Sequence, residues 1–244
     1  MQDLQSEGAP RWREAGSSRL GAFVDAAFAF AVTLLVIAVD RLPDSTEALL
    51  QALKNVPAFA ASFALLAMFW YAHVRWSRRY RLDTVPAVLL SLLLVFLVLI
   101  YVYPLRLLMG TFFGWMTGGW LPMPAGFASQ HGVLFVFQAY AIAFASMSAC
   151  VLGLYLHAWR QRRALRLEDE AAAATYGEVA SWAYFVLIGL VSALLAAVLP
   201  VRASPWLLAL PGCVYFLLSF TALIEGAGQR RARRILHADR GATA

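Results

Sequence analysis

Asp25 is a carboxylate set inside an apolar run, Arg19 to Asp40, which reads RLGAFVDAAFAFAVTLLVIAVD. A charge at membrane depth is costly, so by default it marks a functional site or a brace inside a helix bundle. A second apolar run closes on WYAHVRWSRRYR, which brings Trp70 and His73 to its end beside four arginines. A buried carboxylate needs a donor, and the His73 imidazole or the Arg19 guanidinium would supply one, with Trp70 one turn away. These four residues are expected to form one polar network, with Asp25 held inside the bundle. Thr33 adds a hydroxyl near the middle of the first run. No nucleophile with a paired base, no metal-ligand cluster and no phosphate-binding loop is visible, so neither an enzyme nor a bound cofactor is expected. His131 and His157 fall at the ends of apolar runs and are not expected to be ligands.

The elements that must position these groups follow from composition. The chain has 244 residues, 61% of them hydrophobic and 14% charged, with a mean hydropathy of +0.67. Soluble domains run near 45–50% apolar and about a quarter charged, so the class is an all-α integral membrane protein. The first run is too long for a signal-peptide core and no small-residue cleavage site follows it, which favours an anchor that is kept. Six spans are expected at about 20–39, 56–74, 84–105, 131–156, 179–199 and 205–224, each near the ~20 residues that cross a bilayer. Residues 1–18 form a polar lead-in, 19–225 the six-helix unit and 226–244 a basic tail. Residues 46–55 suggest a short amphipathic surface helix capped by Ser45 or Thr46. Residues 106–130, rich in Gly, Pro and aromatic side chains, suggest an outer loop in the headgroup region. The first-span pattern does not recur, so there is no internal duplication.

The net charge of +6 does not point to nucleic acid. Its arginines cluster beside apolar segments, as in cytoplasmic loops of membrane proteins. Of 20 Lys and Arg, only Arg41, Lys54, Arg106 and Arg202 lie on the second side of a six-span topology. That asymmetry places both termini in the cytoplasm. Cys150 and Cys213 both sit in apolar segments and are read as small hydrophobes, not a disulfide.

Along the first span Phe23, Phe30 and Ile37 recur every seven residues, with Leu34 one turn beyond Phe30. Such a stripe serves either packing or a pore, and Ala26, Ala27, Ala29 and Ala31 beside it permit close helix approach. Asp25 lies about 140° around the helix from Phe30, so the two cannot serve one purpose. On the residues alone the carboxylate reads as a brace, and the stripe stays open between packing, the commoner role, and a pore.

Together these residues resemble the transmembrane protein 175 family, potassium channels of endolysosomes and their bacterial relatives. Arg19, Phe23, Val24 and Asp25 stand where that family carries Arg-x-x-x-Phe-Ser-Asp. Thr33, Leu34 and Leu35 match its Thr-Leu-Leu, and Trp70 and His73 its Trp-x-x-His. The similarity covers about residues 19–105. It implies a homotetramer with six helices per subunit and the first helices around a central pore, in a bacterial plasma membrane. It further implies a hydrophobic constriction at Phe30, Leu34 and Ile37, a potassium-preferring hydroxyl at Thr33, and an inner-end network of Arg19, Asp25, His73 and Trp70. The permeant species would be potassium, modestly preferred over sodium and other monovalent cations, with no cofactor. Three positions depart from the pattern. Val24 replaces the serine, Phe30 stands where Leu or Ile is usual, and Ala26 stands where glycine is common. From the residues alone, a proton path through Asp25 and His73 and a non-conducting membrane scaffold remain the alternatives.

Overall fold

The computed structural model describes the backbone of residues 11–37, 44–124, 130–200 and 204–241. The described residues form helices and short connections, and six helical stretches are long and apolar enough to cross a membrane. The protein is a multi-span membrane protein. Its outward surface is apolar over most of its height, with Phe96, Leu194, Phe216 and Leu223 among the exposed side chains. A bilayer is the solvent that suits such a surface.

Helix α1 spans Arg11–Ile37, so its regular backbone begins well before the expected span. The expected loop residues 38–43 lie outside the described residues. Helix α2, Thr46–Lys54, is the anticipated amphipathic surface helix. The Ser45 hydroxyl caps it by accepting from Ala48 N, with Glu47 in its first turn and Lys54 in its last. Both charges complement the helix dipole.

Helix α3, Val56–Tyr80, carries a proline in its first turn and stops where Arg81 adopts a left-handed conformation. Helix α4, Val85–Met116, continues through Pro104 and absorbs nearly half of the expected outer loop. At 32 residues it rises roughly 48 Å, well beyond a ~30 Å hydrocarbon core. The chain then doubles back, so that Met123 and Pro124 pack on Gly114 and Gly110. A Cβ on Gly114 would stand 2.9 Å from Met123 Cβ. Residues 125–129 of the expected loop lie outside the described residues.

Helices α5, Gln130–Arg160, and α6, Asp169–Val198, form the central antiparallel pair. The sixth span is composite: α7, Pro205–Cys213, then a 3₁₀ stretch, Val214–Phe220, then α8, Thr221–Gly241. Seven residues is long for a 3₁₀ stretch. In lipid, carbonyls freed by Pro211 and by the altered winding must be satisfied by protein. Ser192 Oγ donates to Pro211 O at 2.8 Å, and Tyr184 OH to Leu217 O at 2.9 Å. Residues 226–241 of the expected basic tail continue α8 as helix.

Contacts run in sequence across the bundle. Helix α1 packs on α3 and α4, α4 on α5, α5 on α6, and α6 on α8. Helices α1 and α8 therefore occupy opposite edges of the subunit.

Candidate functional site

Helix α1 presents two faces of different character. Val24, Phe28, Ala31 and Leu35 are buried and recur at the i, i+4, i+7, i+11 spacing of one helical stripe. They join the main core cluster with α3, α4 and α5. On the opposite side Ala22, Ala26, Ala29 and Thr33 are exposed. Phe30, 55% exposed, lies on one flank of that bare face. Leu34 is half-buried and packs against the core, which turns it partly away from Phe30. The Ile37 side chain lies outside the described residues.

Val24 is fully buried. The departure from the expected serine therefore places methyl groups in the core and takes no hydroxyl from the exposed face. Ala26 sits on the bare face, about two helical turns before Thr33. The Thr33 hydroxyl donates to Ala29 O at 3.0 Å. With its hydrogen engaged on its own helix, its oxygen is left to face outward as an acceptor.

The expected polar network divides into two pairs. Trp70 Nε1 donates to Asp25 Oδ1 at 2.8 Å, joining α3 to α1. His73 is 1% exposed and turns to α4, with Nε2 at 3.0 Å from Ser91 Oγ. Ser91 in turn donates to Ala87 O at 2.9 Å. A hydroxyl has one hydrogen, so His73 Nε2 is the donor to Ser91. Arg19 is exposed and, among the described residues, bonds neither Asp25 nor His73. The structure thus brings Asp25 and Trp70 together, gives His73 a different partner, and leaves Arg19 on the surface.

Ser91 was not anticipated. Its signal was a single hydroxyl within AVLLSLLLVFLVLI, where a polar group needs a partner. Glu178 was also missed. It is buried on α6 and pairs with Arg75 of α3, and its signal was a lone carboxylate at the entry to the fifth span. One turn further along the same two helices, Tyr80 OH lies 2.8 Å from Thr175 Oγ1, and Arg79 Nη2 donates to Ala171 O. Trp76 Nε1 reaches Leu154 O on α5 at 2.9 Å. These bonds fix the end of α3 that carries Trp70 and His73, and through Trp70 they set the rotation of α1. At the other end Arg106 Nη1 donates to Leu35 O at 3.3 Å, tying α1 to α4.

Residues 19–104 match the family model described as "Endosomal/lysosomal potassium channel TMEM175". This stretch carries the TMEM175 family pattern. It holds both faces of α1, the Asp25–Trp70 bond and the His73–Ser91 bond. A protein named "Potassium channel" from Marivirga tractuosa is 38% identical over 91 residues, covering 37% of this chain and 36% of that protein. The match thus spans about a third of the curated relative's length. The fold is that of a crystal structure of a variant of the potassium channel MtTMEM175, solved with a nanobody–MBP fusion. The TM-score is 0.74 over 92% of this chain and 95% of that one, at 23% identity. The TMEM175-like stretch is therefore set in a chain that shares that fold over 92% of its length.

Proposed function

We propose that this protein is the subunit of a homotetrameric cation channel that passes potassium along an axis lined by α1, with both termini in the cytoplasm. The observation that carries this reading is the bare face of α1. Helix α1 is buried along one stripe only and leaves Ala22, Ala26, Ala29 and Thr33 uncovered by its own subunit, with exposed Phe23 and Phe30 on their flank. Small residues allow close approach of neighbouring copies, and the outward Thr33 oxygen offers a dipole to a dehydrating cation. Phe30, with Leu34 and Ile37 on its side of the helix, forms the constriction. Apolar bottlenecks gate by dewetting and replace little of the hydration shell, so the preference for potassium over sodium is modest. Asp25 does not face the ions. It ties α1 to α3 through Trp70 and so sets the rotation of the pore-lining face. A proton path draws no support, because His73 bonds Ser91 and not Asp25.

Potassium flux from liposomes tests the reading. The wild-type protein is expected to release potassium down its gradient, and Phe30→Ala, which widens the bottleneck, to raise the rate several-fold. Absence of flux from the wild-type protein overturns conduction. An unchanged rate in Phe30→Ala removes Phe30 from the constriction.

A further inference from the structure

We propose that the outward face of α8 binds the phosphodiester headgroup of an anionic phospholipid through Arg230, Arg231 and Arg234. The packed face of α8 is set by Gly228, where an added Cβ would fall 2.7 Å from Ala180 Cβ of α6, and by Ala232, which is fully buried. Arg230 and Arg234 project on the opposite side of the helix, one turn apart, with Arg231 beside them. All three are exposed, and among the described residues no carboxylate pairs with them. The nearby acidic groups are committed elsewhere. Glu170 takes Arg233 at 2.7 Å, Glu225 accepts from Gln229 Nε2 at 3.2 Å, and Glu178 pairs with Arg75.

The same outward face is apolar on the membrane side. Leu223 is 67% exposed, and Phe216 and Phe220 of the 3₁₀ stretch are exposed beneath it. From Leu223 to Arg230 the helix rises about 10 Å. The face therefore passes from acyl-chain contact to three guanidinium groups within the depth of one lipid headgroup region. Its position at the edge of the subunit remote from α1 leaves it open to the bilayer. A phosphodiester anion matches this column in charge, in the planar fork geometry of arginine, and in having acyl chains attached below. Basic clusters beside a span end select anionic over zwitterionic lipid.

The test uses the full-length protein in detergent, mixed with equal amounts of phosphatidylglycerol and phosphatidylcholine, with retained lipid counted by native mass spectrometry. Wild-type protein is expected to keep phosphatidylglycerol several-fold over phosphatidylcholine, and the excess is expected to shrink as salt rises. The triple variant Arg230→Gln, Arg231→Gln, Arg234→Gln is expected to lose the excess, whereas the triple lysine variant keeps most of it, which separates charge from folding. Equal retention by wild type, or an excess unchanged in the glutamine variant, overturns the proposal. Inorganic phosphate that displaces the lipid completely would reassign the cluster to a free anion and overturn it as well. None of these readouts depends on ion flux, so failure here leaves conduction untouched, and the reverse.

Discussion

At the scale of single residues, the polar groups of the TMEM175-like stretch act as joints between helices. The Asp25–Trp70 bond joins α1 to α3 on a face that the subunit itself leaves exposed, so Asp25, contrary to expectation, is not enclosed within the subunit's own bundle. The His73–Ser91 bond is fully enclosed. Ser91→Ala leaves His73 Nε2–H buried without an acceptor, at a cost of about 1–3 kcal/mol. A lowered midpoint of thermal unfolding in detergent is the expected outcome, and an unchanged midpoint would show that the imidazole finds another partner. That Asp25 needs a donor was legible in the sequence, because a carboxylate inside an apolar run demands one. The expected donors, however, were Arg19 and His73, and the bond comes from Trp70 Nε1. The pairing of His73 was not legible. A lone serine among leucines carries no spacing that points to a histidine 18 residues earlier, and only the antiparallel packing of α3 on α4 brings the two together. Arg19 shows the other limit: a long side chain near the end of a span reaches solvent as readily as it reaches a carboxylate.

At the scale of elements, the six spans were readable from hydropathy, and their ends were not. Helix α4 runs through Pro104, where the expected span was to end or kink. Its extension past the bilayer is packed by the returning segment at Gly110 and Gly114. The sixth span hid more. Pro211 and Gly212 advertise a break, but the 3₁₀ winding that follows depends on hydroxyls of Ser192 and Tyr184 supplied by α6, and hydropathy carries no trace of those contacts. The crossing of α6 and α8 depends on small residues at one point, where Gly228 stands against Ala180 and Gly177. Gly228→Val inserts a branched side chain where even a Cβ is too close, and overpacking of this kind costs about 1–3 kcal/mol. Thermal unfolding should drop accordingly. Gly226→Ala, two residues away, meets nothing nearer than Arg230 Nη1 at 3.6 Å. It should hold its midpoint or gain up to about 1 kcal/mol from helix propensity. Equal losses in both variants would mean that the crossing is not the cause.

At the scale of the whole molecule, the order of packing from α1 at one edge to α8 at the other gives each edge its own solvent. The edge at α8 presents large apolar side chains below arginines, a profile suited to lipid. The edge at α1 presents a strip of small residues and a hydroxyl flanked by exposed Phe23 and Phe30, a profile suited to copies of itself around water and ions. Helix α1 as the pore lining is tested most directly by thiol accessibility during potassium flux. The background is Cys213→Ser, since Cys213 is exposed whereas Cys150 is buried. In that background Thr33→Cys should be blocked by a water-soluble, positively charged thiol reagent, and Leu223→Cys on α8 should conduct unaltered. Flux that persists in modified Thr33→Cys, or that is blocked at Leu223→Cys instead, would place the ion path away from α1.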